Sequence, residues 1–180
     1  MTIFKHNCLI SCLCHICTSF GCVLLTVGFF TPLWKEEKLG GVTTFSGLIV
    51  ACYRNFSCTY DVDTIKSYGA GSIYDFSGFQ IGAMTFGIVG WVFGLVDVVI
   101  VRVYTCCPQT VTGLLSIIFA FVSGISGIVC VIIYGSGIIT LSALPELSQL
   151  TASWSLGLFT GGSALMIVAG ILLIVNVCML

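Results

Sequence analysis

Four long apolar stretches separated by polar segments dominate the pattern of hydrophobic and polar positions along this chain. They cover residues 8–30, 79–101, 110–134 and 154–177. A helix rises about 1.5 Å per residue, so each stretch is long enough to cross a hydrocarbon core of about 30 Å. The pattern therefore predicts four membrane-spanning helices, within which the one charged residue is Asp97.

The connections between these stretches are unequal in length. Residues 31–78 form a long first loop, residues 135–153 form a shorter second loop, and only residues 102–109 join the second and third stretches. Short connections make consecutive helices antiparallel neighbours. We therefore predict an all-α membrane protein, a left-handed four-helix transmembrane bundle, with residues 1–180 as one four-span domain.

The first loop has the pattern of a small antiparallel β-sheet. Short β-rich segments follow Gly40 and Gly41 and are separated by turn residues. Cys52 and Cys58 would face each other across a hairpin whose tip carries Asn55. A disulfide closing so small a ring would constrain the unfolded chain by about 2 kcal/mol, and two unpaired thiols are the alternative.

Two signals disagree about the side of the membrane on which the first loop lies. The positive-inside rule alone would place it in the cytosol, because it holds more basic residues than the opposite side. Asn55-Phe56-Ser57 is a glycosylation sequon that lies between two cysteines. A glycan and a disulfide both form only if the loop is translocated across the membrane into the secretory lumen. We therefore expect a multi-pass plasma-membrane protein with both loops outside and both termini cytosolic. The basic residues are Lys35, Lys38, Arg54 and Lys66 in the loop, against Lys5 and Arg102.

Composition narrows the function classes. Hydrophobic residues make up 58% of the chain and charged residues 7%, with a formal net charge of -1. The chain has no excess of basic side chains that would attract the phosphate groups of nucleic acids. Membrane lipids rather than nucleic acids are therefore the expected partners. His6 and His15 are the only histidines, and the apolar stretches hold neither a paired carboxylate nor a nucleophile with a base. We expect neither catalysis nor a cofactor.

The remaining nine of the eleven cysteines fall into two groups. Those near the cytosolic ends of the spans are candidates for S-palmitoylation, namely Cys106, Cys107, Cys8 and Cys12. The others are expected to be small hydrophobic residues in the packed interior, namely Cys14, Cys17, Cys22, Cys130 and Cys178. Cysteines two and three residues apart on a helix do not point to one centre, so we expect no metal site at residues 12–17.

Small residues four positions apart mark helix faces that can approach another backbone closely. We expect these faces to pack within the bundle, and an interface with another protein is the alternative. The pairs are Gly78 and Gly82, Gly90 and Gly94, Ser123 and Gly127, and Gly157 and Gly161.

Asp97 has two interpretations. It precedes Arg102 by five residues, which favours a position near the interface where it pairs locally or extends to water. The alternative is an intramembrane functional residue, in which case the chain would be a transporter or channel itself.

A known family shares the pattern of Trp34, then Gly47-Leu48, then Cys52 and Cys58 in the first loop of a four-span chain. This pattern resembles the W-GLW-C-C signature of the claudin superfamily, which includes claudins, peripheral and epithelial membrane proteins, and calcium channel gamma subunits. The segment from Ser153 to Leu156 is similar to the start of the family's fourth helix. Ile49 stands where the second tryptophan is expected, which favours a divergent, invertebrate-like member.

The resemblance implies roles for these residues. Cys52 and Cys58 would form a disulfide within the extracellular sheet. Trp34, Gly47 and Leu48 would anchor that sheet at the membrane surface, where an indole ring is in an apolar environment and its N–H is hydrated.

The resemblance also implies a function. We expect a claudin-like protein of cell-cell contact, adhesion or paracellular barrier, whose partners are other membrane proteins, in cis or trans, including further copies of itself. In pore-forming claudins an acid near the second cysteine selects ions; Asp61 is the nearest here, and the nearly balanced loop charge predicts no selectivity. The alternative is an auxiliary, gamma-like subunit of a channel or receptor that docks laterally through a face such as Gly90 and Gly94.

Overall fold

Four long helices account for most of the fold. A computed structural model describes residues 2–39, 42–49, 51–53, 58–59, 76–106, 110–142 and 150–178. The helices are α1 (Thr2–Phe30), α2 (Phe76–Cys106), α3 (Thr110–Ser142) and α4 (Trp154–Cys178). Each contains a stretch that is long and apolar enough to cross a membrane. The prediction of four long apolar helices is therefore confirmed.

The third helix is longer than its apolar stretch suggested. We expected it to end near Tyr134, but α3 continues to Ser142. The reason is that Ile138, one turn beyond Tyr134, is buried in the same apolar cluster as Trp34. The extra turns support the sheet.

Five short strands form one antiparallel sheet in the order β4-β3-β2-β1-β5. They are β1 (Lys35–Leu39), β2 (Val42–Ser46), β3 (Ala51–Tyr53), β4 (Cys58–Thr59) and β5 (Leu150–Ala152). The predicted small antiparallel sheet is confirmed, although the prediction did not include β1 or β5.

The sheet joins the two loops to each other. Lys35 of β1 pairs with Ser46 of β2 on one side and with Ala152 of β5 on the other. Just beyond this register, the Ser153 N–H donates to the Trp34 carbonyl at 3.0 Å, and the Ser155 N–H donates to the Leu33 carbonyl at 3.2 Å. The start of α4 is thus hydrogen-bonded to the segment that leaves α1.

The helices form a bundle in which α1 packs against α2 and α4, and α3 packs against α2 and α4. Backbones come closest where small residues meet. A Cβ on Gly162 of α4 would lie 2.8 Å from both the Gly21 carbonyl oxygen and the Leu25 nitrogen of α1. Likewise, a Cβ on Gly90 of α2 would lie 3.0 Å from the Ser123 carbonyl oxygen of α3.

Buried side chains form two separate apolar clusters at opposite ends of the bundle. The sheet-end core contains Leu25, Phe29, Trp34, Leu48, Ala83, Ala120, Cys130, Tyr134, Ile138, Phe159 and Met166. The distal core, at the end away from the sheet, contains Ile10, Cys14, Val101, Tyr104 and Leu173.

Candidate functional site

Trp34 connects the sheet to three helices. Its side chain is fully buried, and its Nε1–H donates to the Gly28 carbonyl of α1 at 2.6 Å. Its ring centroid lies 5.1 Å from that of Tyr134 on α3 and 5.2 Å from that of Phe159 on α4. We expected a hydrated indole N–H at the membrane surface. The structure corrects this detail, because helix backbone satisfies the N–H and aromatic rings cover the indole.

Gly47 and Leu48 complete the contact between sheet and bundle. A Cβ on Gly47 would lie 2.7 Å from the Thr31 carbonyl oxygen and 2.8 Å from the Pro32 Cα, so only glycine allows this approach. Leu48 is buried in the sheet-end core. We call Trp34, Gly47 and Leu48 the sheet seat, since all three hold the sheet against the helices.

A side chain of α2 also contacts the sheet seat. The Gln80 Nε2 group donates to the carbonyls of Gly47 and Leu48 at 3.4 and 3.3 Å. Gln80 thus adds α2 to the helices that contact the sheet seat. Since Gly28, Tyr134 and Phe159 belong to α1, α3 and α4, all four helices contribute.

Cys52 and Cys58 occupy directly opposite positions of β3 and β4. Opposite Cα atoms of an antiparallel pair are about 4.5–5.5 Å apart, a separation that a disulfide can bridge. The backbone register thus suits the predicted disulfide, which stays a prediction. Asn55, the predicted glycosylation site, lies outside the described residues.

The structure places several predicted lipidation sites at the distal end. Cys106 at the end of α2 and Cys12 on α1 have exposed side chains. Cys107, along with the side chain of Cys8, lies outside the described residues. We expected Cys178 to be interior, but its side chain is exposed at the end of α4. That expectation was wrong because Cys178 lies on the outer side of the last turn of α4, whereas Asn176 of the same turn is buried.

Lateral docking through Gly90 and Gly94 of α2, the alternative to packing within the bundle, does not fit the structure. Gly90 and Gly94 are buried against α3, where Gly90 meets Ser123 and Gly127 and Gly94 meets the Ser123 side chain. These two small-residue pairs therefore pack within the bundle. By contrast, in the part of the chain that the structure describes, no atom from another element lies within 4 Å of a Cβ built on Gly78 or Gly157.

Asp97 lies in the interior of the bundle, with 0% of its surface exposed. The Ser116 hydroxyl of α3 donates to its Oδ1 at 2.5 Å, and its Oδ2 has no hydrogen-bond partner among the described residues. Arg102 is exposed. Our expectation that Asp97 pairs near the interface or extends to water was wrong, since five residues turn a helix by about 500° and place the two side chains on different faces.

Helix α1 turns a buried face toward Asp97. Cys14 and Cys22 both lie on this face and are buried. Thr18 lies midway between them on the same face of α1 and is fully buried. Its hydroxyl donates to the Cys14 carbonyl at 2.9 Å, so its oxygen lone pairs stay available as acceptors.

Two further polar groups are buried between Asp97 and the distal end. Asn176 of α4 is 4% exposed, and its Nδ2 group donates to the Tyr104 hydroxyl of α2 at 3.3 Å. Its Oδ1 has no partner among the described residues. The distal polar cluster thus has members from every helix, namely Thr18, Asp97, Tyr104, Ser116 and Asn176.

The sequence pattern singled out only Asp97 among these five residues. Thr18, Tyr104, Ser116 and Asn176 were missed because single hydroxyl and amide groups are common in apolar helices, where those of Ser and Thr often bond to their own backbone. Their distinguishing property is shared depth in the bundle, and this becomes visible only when the helices are placed side by side. In comparisons with known proteins, the chain matches no family model and no curated protein.

Proposed function

We propose that the chain is a claudin-like integral membrane protein of the plasma membrane that acts in cell-cell contact, adhesion or paracellular barrier formation. The observation that carries this proposal is the sheet seat. A sheet built from both loops rests on all four helices through Trp34, Gly47 and Leu48. A surface held in one conformation loses little conformational entropy when it binds a partner, which suits a contact-forming role.

Membrane insertion as a left-handed bundle is the second part of the proposal. Large apolar side chains are exposed on the outer face of every helix, among them Phe20, Val99, Ile132 and Ile171. So much exposed apolar surface suits lipid rather than water. Membrane lipids are therefore partners, and other membrane proteins, further copies of this chain included, are partners through the sheet.

The orientation follows from the predicted modifications. We propose that the sheet lies outside the cell with a Cys52–Cys58 disulfide and a glycan on Asn55, and that both termini are cytosolic. The exposed thiols of Cys12 and Cys106 lie at the opposite end of the bundle, where cytosolic S-palmitoylation would occur. Cys8 and Cys107 are the other candidates for the same modification.

Glycosidase digestion tests the orientation. The wild-type band is expected to shift on digestion, whereas the band of Asn55→Gln stays in place. On non-reducing gels with thiol labelling, the wild type should show no free thiol at Cys52 or Cys58, and Cys52→Ser should expose Cys58. An unshifted wild-type band together with free thiols at both positions would overturn the orientation.

Imaging of mixed cell cultures tests the function. The tagged protein is expected to concentrate at borders between two expressing cells and not at borders with non-expressing cells. Trp34→Ala should abolish this enrichment because it removes the centre of the sheet seat. Trp154→Ala is the matched control, since that indole is 52% exposed and outside the seat. Even distribution of surface-expressed wild type around the cell would contradict a contact function.

A gamma-like auxiliary subunit is the second candidate function, supported by one observation. The start of α4 presents the exposed Trp154 close to Gly157, where a built Cβ would meet no atom of the described residues outside its own helix within 4 Å. A partner helix could approach here rather than at the buried Gly90. Copurification with a channel complex that is lost in Gly157→Leu and kept in Gly78→Leu would favour this role over cell contact.

A further inference from the structure

We propose that Asp97, with Ser116 and Thr18, forms an intramembrane binding site for a single monovalent cation, either a proton or Na⁺. The site goes beyond the proposed contact function and does not depend on it. It rests on the burial of Asp97 and on the hydrogen-bond roles of the groups around it.

The two hydroxyl groups assigned to the site, those of Ser116 and Thr18, have no spare O–H donor. The Ser116 O–H is used on Asp97 Oδ1, and the Thr18 O–H is used on the Cys14 carbonyl. Asp97 Oδ2 is left without a partner in the described part of the chain. A buried carboxylate oxygen is stable only with a positive charge, a donor or a bound proton, so the arrangement favours a cation.

The charge of the site limits which cation fits. The titratable groups that face Asp97 from α1 are the thiols of Cys14 and Cys22. The buried face of α4 has no titratable side chain, and α3 contributes Ser116 at this depth. On α2 itself, Arg102 is exposed and Tyr104 lies two turns away. One carboxylate therefore balances one positive charge.

A divalent metal does not suit these ligands. Among the described residues, no group of three or more His, Cys, Asp or Glu side chains could hold a metal ion. Divalent ions bind oxygen sites through several carboxylates and carbonyls. One carboxylate with two hydroxyl oxygens instead suits Na⁺, and the carboxylate alone suits a proton.

Infrared difference spectroscopy on the full chain in lipid nanodiscs tests the proposal. We expect a protonated-carboxyl band that responds to pH or to replacement of Na⁺ by choline, and that is absent in Asp97→Asn. A band that responds to pH alone identifies the proton. A band that grows when Na⁺ is removed identifies Na⁺. Absence of both responses in the wild type, or an unchanged response in Asp97→Asn, would overturn the proposal.

Variants of the two hydroxyl ligands give an independent test if Asp97→Asn does not fold. Ser116→Ala should shift the midpoint of the pH or Na⁺ response by about tenfold in concentration, the effect of losing one hydrogen bond to a charged group. Thr18→Val, which removes the second hydroxyl oxygen, should also shift the midpoint. Thr160→Val is the matched control, because Thr160 makes the same hydroxyl-to-backbone bond on an exposed surface of α4. If the midpoint stayed unshifted in both Ser116→Ala and Thr18→Val, the two hydroxyl groups would not take part in cation binding and the proposal would be contradicted.

Discussion

The two ends of the bundle are built from different kinds of contact. At the sheet end, Trp34, Tyr134 and Phe159 pack ring against ring, and the indole N–H is satisfied by Gly28. At the distal end, Asp97 and Asn176 are buried, and each keeps an oxygen without a partner in the described residues. The sheet end is thus held by packed aromatic rings, whereas the distal end buries a carboxylate and an amide, and cation binding at that carboxylate is our proposal.

The largest expected effect is at the sheet end. Trp34→Ala should lower the free energy of unfolding by about 3 kcal/mol or more, since it removes a fully buried indole and its hydrogen bond to Gly28. Reversible unfolding in lipid-detergent mixtures measures this. Trp154→Ala, at an exposed position, should change it by less than about 0.5 kcal/mol. If both variants lowered the free energy of unfolding equally, the buried Trp34 would not stabilise the fold more than the exposed Trp154 does.

A smaller effect is expected along the centre of the bundle. Gly162→Ala places a Cβ 2.8 Å from backbone atoms of Gly21 and Leu25, so α1 and α4 must separate, at about 1–3 kcal/mol. Gly157→Ala, whose Cβ would meet no other element among the described residues within 4 Å, should be neutral or stabilise by up to about 1 kcal/mol through helix propensity. Thermal unfolding of the two variants side by side measures the difference. If Gly162→Ala were the more stable variant, close backbone packing would not hold the bundle together.

The smallest effect should be at the distal end. Tyr104→Phe removes the acceptor of the Asn176 amide and should lower stability by about 1 kcal/mol. The same variant should leave enrichment at cell borders unchanged, because the sheet seat is at the other end. Loss of that enrichment would show that the distal end and the sheet end are coupled.

Much of the architecture could be predicted because the length of each apolar stretch can be counted directly in the sequence. The four helices, and the small sheet around Cys52 and Cys58, follow from runs of residues that are close in sequence. Strand β1 was missed because its sequence, Lys-Glu-Glu-Lys-Leu, lacks the usual β-rich composition. Strand β5 was missed because its three residues become a strand only by pairing with β1.

The candidate sites were predicted less completely, for a related reason. Trp34, Gly47 and Leu48 could be singled out through a family resemblance, but their convergence on Gly28, Tyr134 and Gln80 depends on packing between distant segments. The position of Asp97 was misjudged because nearness to Arg102 in sequence suggested a pair. Which helix face meets the core is decided by neighbours such as Ser116, and a single helix does not specify them.

The central claim, that the sheet end faces outward and the distal end inward, can be measured directly with single reporter thiols. Thr151 is exposed on β5 and Thr105 is exposed near the end of α2. In intact cells, a membrane-impermeant maleimide should label Thr151→Cys above the wild-type background, and should label Thr105→Cys above background only after the membrane is permeabilised. Labelling of Thr105→Cys in intact cells, with Thr151→Cys protected, would contradict the account.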